Sequence, residues 1–354
     1  MTTLAERLRH EIREQGPLRF DRFQAAALYD PDGGYYERGG RVGRGGDFVT
    51  GASWHPAFGR AVGRVAERLR DALPDLAVID VGCGEGEMLS ALPEGLRLLG
   101  VERSSTRRGA AVGRVPAATL VGSLEELPAG LSGLLVAYEL FDALPVRALR
   151  LTVNGVVERR VGLDATGAFV FTDAPCPDGD AILESLAARG ARLEAGQLFE
   201  IRPEARRVAR LLSEKLTHGL VLVFDYGAPA RALHGGARPN GTLEAFLGHQ
   251  VTRDVLTEPG SRDITAWVDF TELEEELSAQ GFQVRGLVSQ SRFLLNAGIF
   301  DELPMDDPEN PRSAAQALER NAIAKLLAPG GMGESIRVLL AERGTNVGQM
   351  LIRR

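Results

Sequence analysis

The chain has 354 residues, of which 44% are hydrophobic and 25% are charged, so it is long enough for one large α/β domain with insertions or for two domains. Lysine and arginine total 41 against 48 acidic residues, and the net charge of −7 disfavours non-specific binding to nucleic-acid phosphates. The two cysteines, Cys83 and Cys176, show neither disulfide nor zinc-ligand spacing, so the sequence indicates a reducing compartment and predicts no metal site.

The sequence contains no apolar run of about 18 residues, and no membrane span is predicted. The first residues include Glu6, Glu11 and Glu14 and lack the apolar core of a signal peptide, so the pattern predicts a cytoplasmic protein. The expected partners are small molecules or proteins, without nucleic acid.

Two packing helices are predicted at the N-terminus. Leu4, Leu8 and Ile12 mark one apolar face, and Phe20 belongs to the second. The following segment, residues 28–50, combines many glycines with aromatic side chains. This composition is typical of an ordered connector or of a loop that covers a site, and the two interpretations are equally favoured.

The strongest local signal is an apolar strand that runs into a glycine-rich turn and then into a helix, over Ala77–Leu89. The glycines remove each Cβ where the chain turns tightly, and they let a ligand approach the backbone. Cys83 lies inside this turn and is interpreted as a packing residue rather than a nucleophile. The residues expected to contact a nucleoside here are Asp80, Gly82, Cys83, Gly84 and Gly86.

A second apolar strand follows and ends in Glu102, twenty residues after Gly82. A carboxylate at this spacing accepts hydrogen bonds from a ribose diol. Position 87 is Glu87 instead of the third glycine of a dinucleotide fingerprint, which disfavours a pyrophosphate and therefore NAD and FAD. An adenosine ligand without phosphate, of which S-adenosylmethionine is the common example, fits better. The turn also resembles the first motif of class I methyltransferases.

A third strand, over 118–121, leads to Ser123 and Leu124. By the geometry of class I methyltransferases, these two residues are expected to lie against adenine. Alternatively, Ser123 caps a helix and forms a capping box with Glu126, and the two interpretations are compatible.

The remaining pattern predicts an α/β protein with an N-terminal helical and glycine-loop extension and an inserted antiparallel meander. Its main sheet resembles the Rossmann-like sheet of class I methyltransferases, which implies seven mostly parallel strands. Asn154-Gly155 predicts a hairpin within the meander. The chain from 226 to 258 is expected to be rich in loops, and Asp269 to cap a helix over 270–280. The predicted segments are the N-terminal helices and covering loop at 1–60, core at 61–146, the inserted meander and helix at 147–200, and core with helical additions at 201–354.

Several motifs together resemble the MidA family of S-adenosylmethionine-dependent methyltransferases. They are ALYxPxxGYY from Ala27, GDFxT from Gly46, FG from Phe58, the glycine turn, ELFDALP from Glu139, DYG from Asp225, GTL from Gly241, TAxVDF from Thr265 and MGE from Met332. Only about 147–198 is poorly covered. This chain has Tyr138 where the family pattern has Asn, which bears on substrate shape and on the methyl-donor contact.

The resemblance implies a methyltransferase that uses S-adenosyl-L-methionine. The mitochondrial branch of the family is associated with protein arginine methylation during respiratory complex I assembly, so a protein arginine acceptor is implied, with a homodimer left open. It also implies that Gly46, Asp47 and Thr50 belong to the cofactor site, with Asp47 facing the positive end of the methyl donor or the acceptor. Two other functions remain open: a non-enzymatic assembly or chaperone protein, and a small-molecule methyltransferase.

The catalytic hypothesis concerns Glu139, at the end of the fourth strand beside the switch point of the sheet, and it includes a contact with the cofactor. A carboxylate here would hold a guanidinium and accept its proton. Asp142 would share this role if a helical turn begins there. The alternative is that Glu139 caps the following turn and that Asp142 is a surface acid.

Overall fold

The computed structural model describes residues 2–38, 55–247, 250–303 and 314–353. The expected cofactor contacts at Gly46, Asp47 and Thr50 lie outside the described residues.

The strands are β1 (Leu18–Arg19), β2 (Ala77–Val81), β3 (Arg97–Val101), β4 (Thr119–Val121), β5 (Leu131–Tyr138), β6 (Arg147–Thr152), β7 (Gly155–Leu163), β8 (Phe169–Pro175), β9 (Leu198–Ile201), β10 (Leu216–Ala228), β11 (Glu244–Leu247), β12 (Gln250–Thr252), β13 (Asp263–Thr265), β14 (Val268–Asp269), β15 (Gln283–Ser289) and β16 (Ile336–Arg343).

The helices are α1 (Leu4–Gln15), α2 (Phe20–Tyr29), α3 (Ala57–Arg70), α4 (Glu87–Ser90), α5 (Ser105–Arg114), α6 (Gly179–Ala188), α7 (Pro203–Lys215), α8 (Ala230–Leu233), α9 (Phe270–Ala279), α10 (Gln290–Asn296), α11 (Ala314–Leu327), α12 (Met332–Ser335) and α13 (Gly348–Leu351), with 3₁₀ turns at Leu124–Glu126 and Ile299–Glu302. Within the described ranges, every helix is too short or too polar to cross a membrane.

The central sheet has the strand order β15-β16-β10-β5-β2-β3-β4, and β14 adds to β10. The path from β10 to β4 is parallel, whereas β16 is antiparallel to both of its neighbours. The predicted seven-stranded, mostly parallel methyltransferase sheet is therefore confirmed. The chain order reverses between β2 and β5, so the crevice at their carboxyl ends is the expected ligand position.

Helices cover both faces of this sheet, which explains why β2 is almost uniformly apolar. Val78 packs with α3, α10 and α11 on one face, and Ile79 packs with α7 and α9 on the other. All five residues of β2 are buried. A parallel strand covered on both faces produces the continuous apolar run seen in the sequence.

The predicted antiparallel insertion forms a second sheet, in which β6 and β7 make the hairpin and pair Thr152 with Gly155. Two further strands join it that the sequence pattern did not indicate. β9 pairs with β6, and β1 pairs with β7 through Leu18 and Val161. The N-terminal segment and the insertion therefore share one core. The boundary predicted at residue 60 lies inside α3.

The expectation of a loop-rich region at 226–258 is wrong in part, because β11 and β12 lie there and form a small sheet with β13. This sheet packs against α2 and the insertion. Gln24 of α2 joins them, since its Nε2 donates to the carbonyl of Ile264 at 3.0 Å and its Oε1 accepts from the N–H of Val146 at 2.9 Å. These strands are three or four residues long and depend on tertiary contacts, so their local sequence carries little signal.

Candidate active site

A cavity of about 1070 Å³ lies at the carboxyl ends of the central parallel strands. Its volume is slightly above the usual range for small-molecule sites, which leaves room for a nucleoside and part of a second reactant. The predicted site residues that line it are Asp80, Gly82, Cys83, Gly84, Glu102, Ser123, Leu124 and Glu139. Gly86 and Asp142 do not line it.

The glycine turn brings bare backbone to the cavity wall. Gly82 has a φ of +79°, and its N–H donates to the carbonyl of Val101 at 2.8 Å. A Cβ at Gly82 would lie 3.2 Å from the Cδ1 atom of Leu140. The turn thus requires glycine for backbone conformation and for close packing.

Gly86 was expected to contact the nucleoside, but it does not line the cavity and instead packs within the fold. It precedes α4 with a φ of +81°, and an added Cβ would lie 3.3 Å from the Cγ2 atom of Val115. Its role is packing of the turn against α5 and the residue after it. Cys83 is buried, and burial raises the pKa of its thiol well above the ordinary value. The thiol is therefore protonated, as expected of a packing residue.

Glu102 is held at the edge of the cavity by the turn itself. Its Oε2 accepts a hydrogen bond from the N–H of Gly84 at 3.0 Å, and its Oε1 accepts one from the N–H of Ser104 at 2.8 Å. Each carboxylate oxygen retains lone pairs for further donors. The carboxylate is thus fixed in the position that the ribose hypothesis requires, although burial raises its pKa.

Asp80 lies near the end of β2, beneath the same turn, and is buried. Burial, with the charges of Glu87 and Glu102, raises its pKa to about 8. Protonated Asp80 carries a hydroxyl donor as well as acceptor oxygens. The cavity therefore contains an acid whose protonation state depends on pH near neutrality and on whether a positive group lies beside it.

The structure does not contain the capping box suggested at Ser123. This residue precedes the 3₁₀ turn at Leu124–Glu126, but its side chain makes no capping hydrogen bond. Glu126 instead accepts from the N–H of Gly122 at 3.3 Å. A 3₁₀ turn of three residues does not form the helical turn that a capping box needs. The Ser123 and Leu124 wall of the cavity remains available for an adenine ring.

Glu139 follows β5 in a left-handed conformation, with a φ of +47°. Its N–H donates to the carbonyl of Phe224 at 2.8 Å. Its Oε1 is buried and has no hydrogen-bond partner among the described residues. A positive φ at a non-glycine residue costs free energy and is concentrated at functional sites, so both features make Glu139 a candidate for ligand binding.

Asp142 lies close to Glu139, but not on the helical turn that the sequence prediction required. Residues 139–142 form no helical turn, and the N–H of Leu144 donates to the carbonyl of Phe141 at 3.3 Å. The positive φ of Glu139 prevents a regular helix from starting there. Asp142 is also buried, so its interpretation as a surface acid is wrong as well.

Glu139 lines the cavity and interacts with three carboxylates behind its wall, those of Asp142, Asp225 and Asp263. The three aspartates are buried and Glu139 is partly buried, and burial followed by the charge of Asp225 raises the pKa of both Glu139 and Asp142. Asp263 contributes further to both shifts. Buried carboxylates of like charge repel one another, so such a cluster is stable only if some of them are protonated or if a cation binds among them.

A pair of stacked tyrosines forms the adjoining wall of the cavity. Tyr29 and Tyr36 have ring centroids 5.5 Å apart, and the Tyr36 hydroxyl donates to Oδ1 of Asp263 at 2.9 Å. The guanidinium carbons of Arg103 and Arg107 lie 4.8 and 5.0 Å from the Tyr29 and Tyr36 ring centroids, respectively. The pair therefore connects the Glu102 side of the cavity to the carboxylate cluster.

Tyr138 also lines the cavity, and its hydroxyl donates to Oε1 of Gln290 at 2.8 Å. Its ring stacks on Phe224 with centroids 5.3 Å apart. The tyrosine side chain, which is larger than the asparagine of the family pattern, thus packs in the core on one face of the sheet. Only the edge of the Tyr138 ring lies at the cavity.

Sequence reasoning missed the site roles of Tyr29, Tyr36, Asp225 and Asp263. The first three lie in motifs that carried the family resemblance, which is a signal that could have drawn attention to them. Asp263 has no local signal, because only the pairing of β13 with β11 brings it to the cluster.

The strand order, the glycine turn and the fixed acid at the second strand define a class I methyltransferase. Residues 59–288 match the family described as "Putative S-adenosyl-L-methionine-dependent methyltransferase", and the chain belongs to this family. It is therefore an S-adenosylmethionine-dependent methyltransferase. The fixed Glu102 carboxylate and the exposed backbone of the turn fit the nucleoside part of this cofactor.

A solved structure of a superfamily member from Burkholderia thailandensis, bound to S-adenosyl-homocysteine, is 30% identical with a TM-score of 0.88, and the match covers 99% of this chain and 94% of that chain. Protein arginine methyltransferase NDUFAF7, mitochondrial, from Mus musculus is 28% identical over an alignment of 380 positions. The alignment covers 94% of this chain and 83% of the relative. The protein of the same name from Homo sapiens is 26% identical and is covered over 82% of its length.

The prediction of a cytoplasmic protein is contradicted by the arginine methyltransferase relatives, which are named as mitochondrial proteins. The prediction depended on the absence of a targeting pattern in the first residues. That absence is not evidence for a particular compartment.

Proposed function

We propose that this methyltransferase transfers the methyl group to an arginine side chain of a protein. The observation that carries the proposal is the buried Oε1 of Glu139, which has no partner among the described residues and lies in a cluster of like charges. A guanidinium supplies what this cluster lacks, since it is positive, planar and a donor of five hydrogen bonds. The names of the mouse and human relatives support the same acceptor.

The chemistry requires a nucleophilic nitrogen, which a protonated guanidinium does not readily offer. Two carboxylate oxygens that accept from two of its N–H groups localise the positive charge away from the third nitrogen. S-adenosylmethionine, when bound, supplies a methyl group on a positive sulfur. As the nitrogen–carbon bond forms, the carbon–sulfur bond breaks, one proton leaves the guanidinium, and the products are S-adenosylhomocysteine and methylarginine. In this proposal, Glu139 holds the acceptor and takes that proton.

The tyrosine pair and the large cavity complete the proposed acceptor site. Burial raises the pKa of Tyr36, so its hydroxyl stays protonated and continues to donate to Asp263. Tyr29 and Tyr36 stack on each other, and Arg103 and Arg107 lie over their rings, so the pair forms a fixed aromatic wall beside which the alkyl stem of an arginine can pack.

The test is transfer of labelled methyl from S-adenosylmethionine into a cell lysate, followed by acid precipitation and hydrolysis. We expect label in methylarginine of precipitated protein. Label that stays soluble would favour a small-molecule acceptor, and no transfer with intact cofactor binding would favour the non-enzymatic assembly function.

A variant then connects the activity to the site. Glu139→Gln keeps the size of the side chain but removes its charge, so turnover should fall by about a hundredfold or more with cofactor affinity nearly unchanged. Glu184→Gln makes the same change at an exposed position of α6 and serves as the control. Wild-type turnover in Glu139→Gln would contradict the proposed role of this carboxylate.

A further inference from the structure

We infer that Asp225 is a positioning residue that fixes the Glu139 backbone and carboxylate for methyl transfer, an inference that rests on the proposed function. Asp225 lies near the end of β10, is fully buried and does not line the cavity. Its Oδ2 accepts from the N–H groups of Phe141 at 2.9 Å and Asp142 at 3.3 Å. Asp225 thus acts on the segment after Glu139 without reaching the reactants.

Strand β10 anchors both Glu139 and the segment that follows it. The N–H of Glu139 itself donates to the carbonyl of Phe224, and the next anchored N–H, that of Phe141, donates to the adjacent Asp225. A left-handed glutamate persists only where its surroundings over-determine its conformation. The two anchors, from neighbouring residues of one strand, supply that constraint.

The Oδ1 atom of Asp225 is engaged as well, because it accepts from the N–H of Tyr226 at 2.9 Å. The carboxylate therefore needs two acceptor oxygens in fixed positions. An asparagine would place its NH₂ group against at least one of these N–H donors, so Asp225→Asn preserves shape but loosens an anchor.

Asp225 also sets the charge that Glu139 experiences. Among the described residues, the ionisable groups that interact with Glu139 include Asp142, Asp225, Asp263 and Tyr226. Burial is the largest cause of the raised pKa of Glu139, and Asp225 is the next. Removing the Asp225 charge should therefore lower the pKa of Glu139 and move the acid limb of the rate profile to lower pH.

Two variants separate position from charge. Asp225→Asn should lower kcat by about tenfold or more, leave the cofactor Kd within about threefold, and shift the acid limb to lower pH. Asp225→Glu keeps the charge but displaces the oxygens, so it should lower kcat without that shift. If Asp225→Asn does not fold, Asp225→Glu carries the test, and wild-type kcat in the folded variants overturns the inference.

A matched control is available at Asp269, another buried carboxylate that accepts from two backbone N–H groups, those of Thr271 and Glu272. Asp269→Asn makes the same change of a buried carboxylate at the start of α9, where both bonds go to one oxygen that the amide retains, so it should leave kcat nearly unchanged. An equal kcat loss in Asp269→Asn and Asp225→Asn would show a general structural effect and overturn the inference.

The double variant with Glu139→Gln decides whether Asp225 acts through Glu139. We expect little further loss of kcat when Asp225→Asn is added to Glu139→Gln. A further loss as large as in the wild-type background would show independent action and overturn the inference. Wild-type turnover in Glu139→Gln alone would instead overturn the proposed function.

Discussion

Removing the Glu102 carboxylate should weaken cofactor binding more than any other single change at the end of β3. In Glu102→Ala the ribose acceptor is lost, and so are the bonds from the N–H groups of Gly84 and Ser104. The first loss removes a ligand contact. The second frees the glycine turn, because the Gly84 bond joins the turn to the carboxylate.

The size of the effect follows from these bonds. A hydrogen bond to a charged group contributes about 1.5–3 kcal/mol, and part of the loss from the backbone bonds falls on folding rather than binding. We therefore expect a binding loss of about 1–3 kcal/mol, which is about 5-fold to 150-fold in Kd. Glu102→Gln should fall between wild type and Glu102→Ala, since it retains one acceptor oxygen but no charge.

Isothermal titration calorimetry with S-adenosylmethionine and S-adenosylhomocysteine measures the change, with Glu94→Ala as a control on the segment before β3. Since burial raises the pKa of Glu102, affinity should begin to fall at a higher pH than an ordinary glutamate would require, as pH is lowered. If Glu102→Ala binds the cofactor within twofold of wild type, the ribose assignment is wrong.

Three further predictions concern the same cavity. Asp80, with a pKa of about 8, binds a proton in the ligand-free folded state that the unfolded chain has released above the ordinary aspartate pKa of 3.8. The free energy of unfolding should therefore fall as pH rises from about 4 to 8, and urea unfolding of Asp80→Asn should show a weaker pH dependence than wild type. An identical pH dependence would contradict the raised pKa of Asp80. Glu139→Gly should be more stable than Glu139→Ala by about 1 kcal/mol in the same assay, because glycine adopts the positive φ without a steric cost, and the reverse order would argue against strain. Gly82→Ala should weaken cofactor binding, since the φ of Gly82 is +79° and the added Cβ would lie 3.2 Å from Leu140. Gly95→Ala is the control for backbone strain, because Gly95 has a φ of +80° but no atom within 4 Å of the added Cβ. Equal cofactor affinities in the two variants would refute the packing argument.

The sequence predicted the parts of the fold that have a local pattern. The apolar run of β2, the hairpin at Asn154-Gly155 and the cap at Asp269 each depend on residues close in sequence, and all three are confirmed. Short strands whose pairing depends on distant residues carried no such pattern. β13, for example, has three residues and pairs with β11 across a gap of sixteen or more positions, so no period could reveal it.

The candidate site divides in the same way. Glu102 could be predicted because a fixed spacing connects it to the glycine turn, whereas the anchoring of the Glu139 segment by Asp225 joins residues more than eighty positions apart. The left-handed conformation of Glu139 was equally hidden, because glutamate gives no local indication of a positive φ. Both features arise from contacts between residues that are distant in the sequence, and a local sequence pattern does not indicate such contacts.

The two ends of the cavity come from different parts of the chain, and this division bears on specificity. The glycine turn, Glu102 and Ser123 follow β2, β3 and β4, which belong to the central sheet of the fold. Tyr36 comes from the N-terminal segment and bonds to Asp263 of β13, so both acceptor-side groups lie outside that sheet. Because in-line methyl transfer requires an oriented acceptor, a nucleoside-binding sheet alone cannot select one. We therefore propose that acceptor choice depends on how the N-terminal segment and the small sheet meet Glu139.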